Sequence, residues 1–246
     1  MAGRANGQGA PKDAILRLEA VAALDFPEIG RSSENRPIFG RRLGGRGAPL
    51  LVLGGIHGDE PASVDALLAL AGRLEAGAPP LWLVPATNPD GLVAGRKNSA
   101  RDVDLNRNFP ARSFAPEHAP GYFPGPAPLS EPETRALAAL VDGQGGGGEP
   151  GEPIWGALAV HAPFACVNYD GPAADWAAAV SAACGWPARG DIGYPTPGSF
   201  GSWLGVDRGL PVLTLELPPG PLADFRHPAA AALDAAVGYL IAKGPS

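Results

Sequence analysis

The stretch from Pro49 to Pro61 (PLLVLGGIHGDEP) restricts the possible fold of this chain more than any other segment. Four consecutive apolar residues lead into two glycines, and His57 and Glu60 follow before a segment with helical apolar spacing. This order predicts a buried strand, a tight turn and the start of a helix. In open α/β sheets, ligands bind outside the carboxyl ends of the strands, so the turn would bring an imidazole and a carboxylate to that edge. These two side chains can share a metal ion, although the same spacing also occurs in polar turns that bind nothing.

Length and composition indicate one α/β domain over residues 1–246, with residues 1–12 flexible. A chain of 246 residues that is 45% hydrophobic can bury a full core, and one large domain fits this length better than two. Its 35 glycines and 29 prolines indicate many turns and loops around that core. The net charge of −6 argues against a nucleic acid as partner, because neutralising phosphates requires surplus Lys and Arg.

The segment from Met1 to Asp13 is small and polar and has no apolar run typical of a signal peptide. No stretch of the chain approaches the roughly 18 apolar residues of a membrane-spanning helix. We therefore expect a cytoplasmic protein that does not contact a membrane. The two cysteines, Cys166 and Cys184, are expected to be free thiols rather than a disulfide, since this compartment is reducing.

The apolar periodicity predicts alternating strands and helices. Predicted strands are an edge strand within 31–40 and buried strands at 50–53, 81–84, 154–160 and 212–217. Predicted helices cover 13–24, 62–74, 129–141, 173–184 and 228–241. The sequence Ser130-Glu131-Pro132-Glu133 near the start of the third helix matches a capping box, which gives its glutamates a structural role. Loops are predicted at 85–128, 142–153, 162–171 and 192–203.

The predicted loop from 85 to 128 is unusually long for a compact domain, and such loops are usually functional. It contains Arg96 and the pair Asn106-Arg107. Arginines are usually solvated at the surface, but a guanidinium also forms a planar fork that matches a carboxylate. Since the loop leaves the ligand edge of the sheet, both arginines are candidates for binding an anionic group.

His161 and Glu216 each lie at the end of a predicted buried strand, much as His57 follows an earlier one. A single histidine at such a position is commonly a hydrogen-bonded structural group, but the turn with His57 and Glu60 favours a shared site. A carboxylate near the end of an apolar strand is costly unless it has a partner or reaches a polar site. The alternative for Glu216 is a side chain on an edge strand that faces water.

One set of residues resembles that of the M14 zinc carboxypeptidases: His57-x-x-Glu60, His161, Asn106-Arg107-Asn108, Tyr194 and Glu216. Within that family the likeness is greatest to amidases that act on murein peptides, which have segments similar to DLNRNFP, SEPET, IGYPTPGSFGSW and ELPP. The resemblance covers residues 31–219, which is nearly the whole predicted domain. It implies an α/β fold in which a mixed β-sheet is flanked by helices on both faces.

The resemblance also implies roles for individual residues. One Zn²⁺ per chain would be held by His57, Glu60 and His161, with a water completing the coordination. Glu216 matches the general base that takes a proton from this water. The remaining matches are Arg96 for stabilising the oxyanion, Asn106 and Arg107 for binding a substrate carboxylate, Tyr194 for closing over the substrate, and Gly201 at the position that often sets side-chain preference.

By the same resemblance, the expected reaction is hydrolysis of an amide bond next to a free carboxylate in a small peptide, such as a murein tripeptide. The expected bond joins γ-D-glutamate to diaminopimelate in cell-wall peptides that are recycled in the cytoplasm. We expect no activation prosegment, since few residues precede the predicted domain.

Two other functions remain open. One is a small-molecule N-acyl amino acid deacylase of the succinylglutamate desuccinylase and aspartoacylase type. That class is expected to carry a C-terminal β-domain, for which the residues after Glu216 leave no room. The other is a non-catalytic zinc-binding module, although such modules usually lose the base or the metal ligands.

Overall fold

The main element of the fold is a seven-stranded mixed β-sheet with helices packed on it. The computed structural model describes residues 11–74, 78–144 and 151–243. Its strands are β1 (Glu28–Arg31), β2 (Pro37–Phe39), β3 (Arg41–Leu43), β4 (Leu50–Gly54), β5 (Leu81–Val84), β6 (Gly156–His161), β7 (Cys166–Asp170), β8 (Ala188–Arg189) and β9 (Val212–Glu216). Its helices are α1 (Pro11–Ala22), α2 (Pro61–Ala71), α3 (Pro89–Ala94), α4 (Pro132–Val141), α5 (Ala174–Cys184) and α6 (Arg226–Lys243).

The main sheet has the strand order β3-β5-β4-β6-β9-β7-β8, and β1 and β2 form a separate hairpin. Strands β5, β4, β6 and β9 run parallel, whereas β3 and β7 are antiparallel to their neighbours β5 and β9. The predicted α/β fold with a mixed sheet and flanking helices is therefore confirmed. Among the described residues, no helix combines the length and the apolar character that crossing a lipid bilayer requires.

The central strands are apolar at consecutive positions because both faces of the sheet are covered. In β4, Leu50 and Val52 pack in a core with residues of α2, α5 and α6. Leu51 and Leu53 point to the other face, where they pack in a second core with residues of α4 and with Phe109 from the long loop. Burial of these apolar side chains on both faces stabilises the sheet and fixes the position of its carboxyl edge.

The turn after β4 is held by close backbone packing against α3. Gly55 has a left-handed φ of 60°, which favours glycine. A Cβ added to Gly58 would lie 2.0 Å from the carbonyl carbon of Gly91, so any larger side chain would displace the turn. The amide of Gly58 also donates a hydrogen bond to the carbonyl of Lys97 at 3.2 Å. These contacts fix the backbone on both sides of His57.

One predicted loop is wrong and one strand was not predicted, in both cases where a short strand pairs with a distant partner. The sequence predicts a loop at 162–171, but Cys166–Asp170 forms β7, which pairs antiparallel to β9. Arg41–Leu43 forms an additional edge strand, β3, against β5. Short strands of this kind are stabilised by partners far away in the sequence, which local periodicity does not detect.

The predicted capping box before α4 is also wrong. This helix begins at Pro132, and the side chain of its N-cap residue, Glu131, forms no capping hydrogen bond. Glu133 instead accepts a hydrogen bond from the backbone amide of Ser33 at 2.9 Å, and Glu131 accepts one from the Ser99 hydroxyl at 3.2 Å. Both glutamates are buried and structural, but they join α4 to neighbouring loops instead of capping it.

Two segments predicted to be flexible lie wholly or mostly outside the described residues. These are residues 1–12, of which 11 and 12 begin α1, and the glycine run at 145–148. The cysteines are both described, and Cys166 and Cys184 are free thiols as expected.

The side chain of Asn108 fastens the long loop to the segment before α4. Its amide nitrogen donates hydrogen bonds to the carbonyls of Pro124 at 2.7 Å and Ala127 at 2.9 Å, and to the hydroxyl of Ser130 at 2.9 Å. Its amide oxygen accepts a hydrogen bond from the Thr134 hydroxyl at 2.7 Å. Because Asn108 is completely buried, water cannot replace these bonds.

Replacing Asn108 with Ala is therefore expected to lower the free energy of unfolding by about 3 kcal/mol, since buried carbonyls lose their donor. Urea denaturation followed by circular dichroism measures this change. The exposed amide side chain of Gln144 provides a matched control, and Gln144→Ala should stay within about 0.5 kcal/mol of the unmodified protein. Equal loss in both variants would show that the network around Asn108 does not stabilise the loop.

Candidate metal centre

Three side chains from two distant parts of the chain meet at the carboxyl edge of the central strands. His57 follows β4 and Glu60 precedes α2, whereas His161 is the last residue of β6. Nδ1 of His57 lies 2.7 Å from Oε1 of Glu60, and Nδ1 of His161 lies 3.1 Å from Oε2 of the same carboxylate. One ligand atom from each residue falls within 4.8 Å of the others. Both imidazoles therefore direct the same ring nitrogen towards one carboxylate.

The parallel register of the central strands explains this convergence. Gly54 at the end of β4 pairs with Val160 in β6, and His161 pairs with Glu216 at the end of β9. Strands that run in the same direction end at the same edge of the sheet, so the residues at or just after those ends become neighbours. The structure thus brings together the strand-end residues that the sequence analysis singles out.

Asp104 orients the ring of His57. Its Oδ1 lies 3.1 Å from Nε2 of His57, the ring nitrogen that does not face Glu60. Asp104 is completely buried, and Lys97 forms an ion pair with its other oxygen. A carboxylate behind an imidazole fixes its orientation and tautomer, which is the usual arrangement around a metal-binding histidine. Two such nitrogens and one carboxylate match the donor set of catalytic zinc sites, so these residues fit a zinc ion.

The charges in this group are arranged to attract a cation. Burial alone would lower the pKa of His57, but Glu60 and Asp104 outweigh it and raise this pKa to about 9. Burial alone would raise the pKa of Glu60, but the two histidines beside it lower this pKa to about 2. Glu60 is therefore ionised at neutral pH. Its negative charge attracts a cation, either a proton or a metal ion, into the space beside it.

Glu216 lies beside this group with one carboxylate oxygen unpaired. It is 5% exposed, and its Oε2 is buried without a hydrogen-bond partner among the described residues. Burial raises the pKa of Glu216, and His161 only partly opposes this effect. An unpaired buried carboxylate oxygen is costly, so its presence indicates a partner that the polypeptide does not supply.

A cavity of about 660 Å³ opens next to these residues. Asn106, Arg107, Tyr194 and Gly201, all predicted to bind substrate, line its wall. Arg96 is placed differently, because its side chain is exposed at the surface and does not contribute to the wall. The assignment of Arg96 to the site therefore has no support from its position in the structure.

Lys97, the residue directly after Arg96, contributes to the cavity wall. Its ammonium nitrogen is ion-paired with Asp104 and lies 3.7 Å from the ring centroid of Tyr122. Its carbonyl accepts the hydrogen bond from Gly58, which holds this residue next to the turn that carries His57. Lys97 was not among the predicted site residues, although its positive charge directly after Arg96 in the same loop was an available signal.

Arg107 and Asn106 supply hydrogen-bond donors for an anionic ligand. Arg107 is 5% exposed, and its guanidinium donates to the Asn106 carbonyl at 2.7 Å while lying 5.4 Å from the ring centroid of Tyr122. The side-chain oxygen of Asn106 accepts a hydrogen bond from the amide of Phe200 at 3.0 Å, which leaves its NH₂ group for a ligand.

Tyr194 is exposed at the same cavity, and burial of part of its ring raises the pKa of its hydroxyl, so the hydroxyl stays protonated at neutral pH.

Comparisons with known proteins agree with this site. Residues 23–170 match the zinc carboxypeptidase family. Murein peptide amidase A from Escherichia coli (strain K12) is 36% identical over 181 residues, which cover 69% of this chain and 71% of that protein. Murein peptide amidase A from Vibrio campbellii is 34% identical over 233 residues, which cover 87% and 88% of the two chains. The crystal structure of murein-tripeptide amidase from Escherichia coli O157 matches with a TM-score of 0.69 and 30% identity, covering 85% of this chain and 90% of that one.

Replacing His161 with Ala is expected to weaken zinc binding by about a hundredfold or more, because one of three protein donors is lost. Isothermal titration calorimetry and the zinc content after dialysis measure this effect. His118 offers a matched control, since this exposed histidine bonds only to the nearby Pro116 carbonyl. If His118→Ala and His161→Ala lost zinc to the same extent, the three-residue centre would be wrong.

Proposed function

The chain belongs to the zinc carboxypeptidase family, and from this membership we propose that it is a zinc-dependent murein peptide amidase. The observation that carries the proposal is the meeting of His57, Glu60 and His161 beside the unpaired carboxylate oxygen of Glu216. The names of its relatives support a murein peptide as the substrate. We propose the bond between γ-D-glutamate and diaminopimelate as the one that is cleaved.

Glu216 is the proposed general base. A zinc ion held by His57, Glu60 and His161 would activate a water and polarise the amide carbonyl. Glu216 accepts the proton of the attacking water on Oε2 and then passes it to the leaving amine, as its position next to the ligands permits. Because burial raises the pKa of Glu216, the carboxylate binds this proton more readily than an exposed glutamate would.

Arg107 and Asn106 are the proposed binding site for the carboxylate next to the cleaved bond. The guanidinium of Arg107 is almost completely buried and lies over Tyr122, so it is held in place before substrate arrives. A buried guanidinium pairs strongly with a carboxylate, and such an anchor places the amide over the reacting groups. Tyr194 is proposed to cover the bound peptide, since it is exposed at the cavity. Its ring centroid lies 6.2 Å from that of Phe164.

Lys97 is proposed to stabilise the negative oxygen that develops when the amide carbonyl is attacked. Lys97 lines the cavity, and its ammonium pairs with Asp104, which contacts the metal ligand His57. A cation in such a partly buried site stabilises developing charge more effectively than it would in water. Arg96 cannot do this from its exposed position without a rearrangement of its segment.

The proposed compartment is the cytoplasm, where cell-wall peptides that have been taken up would be recycled. The free thiols of Cys166 and Cys184 are consistent with a reducing compartment. The proposed partner is therefore a small murein peptide.

The zinc-loaded protein is expected to release diaminopimelate from L-Ala-γ-D-Glu-diaminopimelate. The substitution Glu216→Gln is expected to lower kcat by about a thousandfold or more and to leave the zinc content unchanged. The physical reason is that an amide can neither accept the proton of the attacking water nor return it. Liquid chromatography of the products and metal analysis of both proteins measure the two effects.

Three outcomes of that assay would contradict the proposal in different ways. Cleavage of ordinary C-terminal peptides with the murein tripeptide left intact would refute the substrate. Cleavage of N-acyl amino acids in its place would favour a deacylase. Equal activity of the Glu216→Gln variant and the unmodified protein would refute the proposed base.

Replacing Lys97 with Met is expected to lower kcat by about a hundredfold with little change in zinc content, whereas Arg96→Met should stay within about twofold. The two substitutions remove one positive charge each from adjacent residues, so they control for net charge. Steady-state kinetics with the murein tripeptide measure both variants. A large loss with Arg96→Met and none with Lys97→Met would mean that Arg96 moves into the cavity to act as the oxyanion-stabilising residue.

A further inference from the structure

Asp170 places an unpaired carboxylate in the wall of the same cavity. It is the last residue of β7 and is partly buried. Its carboxylate forms no hydrogen bond or ion pair with any of the residues that the structure describes. Burial raises the pKa of Asp170, and no neighbouring charge offsets this effect. A carboxylate in this environment is unfavourable by itself, and a cationic ligand would compensate the cost.

Two glycines make room for this carboxylate. Gly201 directly precedes a π-helical turn at Ser202–Asp207, and Gly205 lies within that turn. A Cβ added to Gly201 would lie 2.2 Å from Oδ2 of Asp170, and one added to Gly205 would lie 2.4 Å from its Cβ. The backbone of Gly201 is ordinary helix, with φ of −64°, so its conformation does not require glycine. The absence of a side chain there therefore serves to accommodate Asp170.

The register of β7 against β9 places Asp170 at the far end of the cavity from the proposed base. Cys166 pairs with Glu216, Asn168 with Thr214 and Asp170 with Val212. Asn168, Asp170, Thr214 and Glu216 all line the cavity, so its floor follows this face of the two strands. The pair Asp170–Val212 is four residues along the strands from the pair Cys166–Glu216, which corresponds to about 13 Å. This distance matches the length of an extended ligand side chain together with its contacts.

The charges of the cavity thus differ from one region to another. Arg107 and Lys97 provide positive charge for the carboxylate and the oxyanion, whereas Asp170 provides negative charge at the other end of the floor. Asn168 does not neutralise Asp170, because its side chain carries no charge and its amide donates to the Arg189 carbonyl at 2.9 Å. A ligand that matches this pattern carries a carboxylate near the cleaved bond and a cationic group at the end of its side chain.

We propose that Asp170 binds the ammonium group at the end of the side chain of the leaving residue, and that it thereby makes the enzyme selective for substrates with such a group. This inference rests on the proposed function, because it describes how the same cavity distinguishes between peptides. Diaminopimelate fits the requirement, since the far end of its side chain carries an ammonium group beside a carboxylate, and only the ammonium can pair with Asp170. Asp170 is a specificity-determining residue in this proposal and takes no part in bond cleavage.

The test compares L-Ala-γ-D-Glu-diaminopimelate with the same peptide ending in 2-aminopimelate, which lacks only the distal ammonium group. The unmodified enzyme should prefer the first peptide by about tenfold to a hundredfold in kcat/KM, mainly through KM. Asp170→Asn should remove most of this preference and leave cleavage of the second peptide nearly unchanged. Gly201→Ala should also reduce the preference, because its new Cβ must displace the Asp170 carboxylate.

Asp175→Asn controls for the loss of one negative charge, since Asp175 is exposed on α5 outside the cavity, and it should keep the full preference. Thermal unfolding of Asp170→Asn should show no loss of stability, because the replaced carboxylate makes no hydrogen bond within the described part of the chain. A preference that survives in Asp170→Asn, or equal loss of activity on both peptides, would overturn the proposal.

Failure of the proposed function is distinguishable from failure of this inference. If the unmodified enzyme cleaves both murein peptides at equal rates, the function stands and the role of Asp170 is wrong. If it cleaves neither, the murein substrate is wrong, and a pair of peptides ending in lysine or norleucine then tests Asp170. Preference for lysine that depends on Asp170 would support the inference, and no such preference would refute it.

Discussion

The carboxylate of Glu60, between the imidazoles of His57 and His161, is the interaction on which the functional site depends. Its two oxygens lie 2.7 Å and 3.1 Å from the Nδ1 atoms of the two rings. The histidines keep this carboxylate ionised by lowering its pKa to about 2, so a cation is favoured beside it. Because the residues follow or end different strands, this centre exists only when the parallel strands are in register.

One long loop places several charged side chains around this centre. The loop supplies Asp104 behind His57, Lys97 beside Asp104, and Arg107 in the cavity wall. Asn108 ties the same loop to the segment before α4 through buried hydrogen bonds. The loop has little regular structure, yet buried hydrogen bonds of the Asn108 side chain hold part of it in place. Order in a functional loop thus comes from side-chain hydrogen bonds in place of a backbone ladder.

The sequence predicted those parts of the fold whose signal is local. The apolar runs of β4, β6 and β9 are buried on both faces, and the polar residues at their ends, His57, His161 and Glu216, therefore stand out. Strand β7 was missed because its pairing with β9 is non-local, and Asp170 consequently lay in a predicted loop. Arg96 was predicted to stabilise the oxyanion, but which of the two adjacent cationic side chains lines the cavity depends on backbone contacts that the sequence does not display.

The sequence by itself determined the α/β class, the family, and the set of imidazoles and carboxylates at the strand ends, since each follows from residue type and order along the chain. Only the tertiary structure decided that Lys97 and not Arg96 lines the cavity, and that Gly201 leaves space for the carboxylate of Asp170. The physical reason is that both outcomes depend on packing between segments distant in the chain, where a difference of a few ångströms decides which side chain fits.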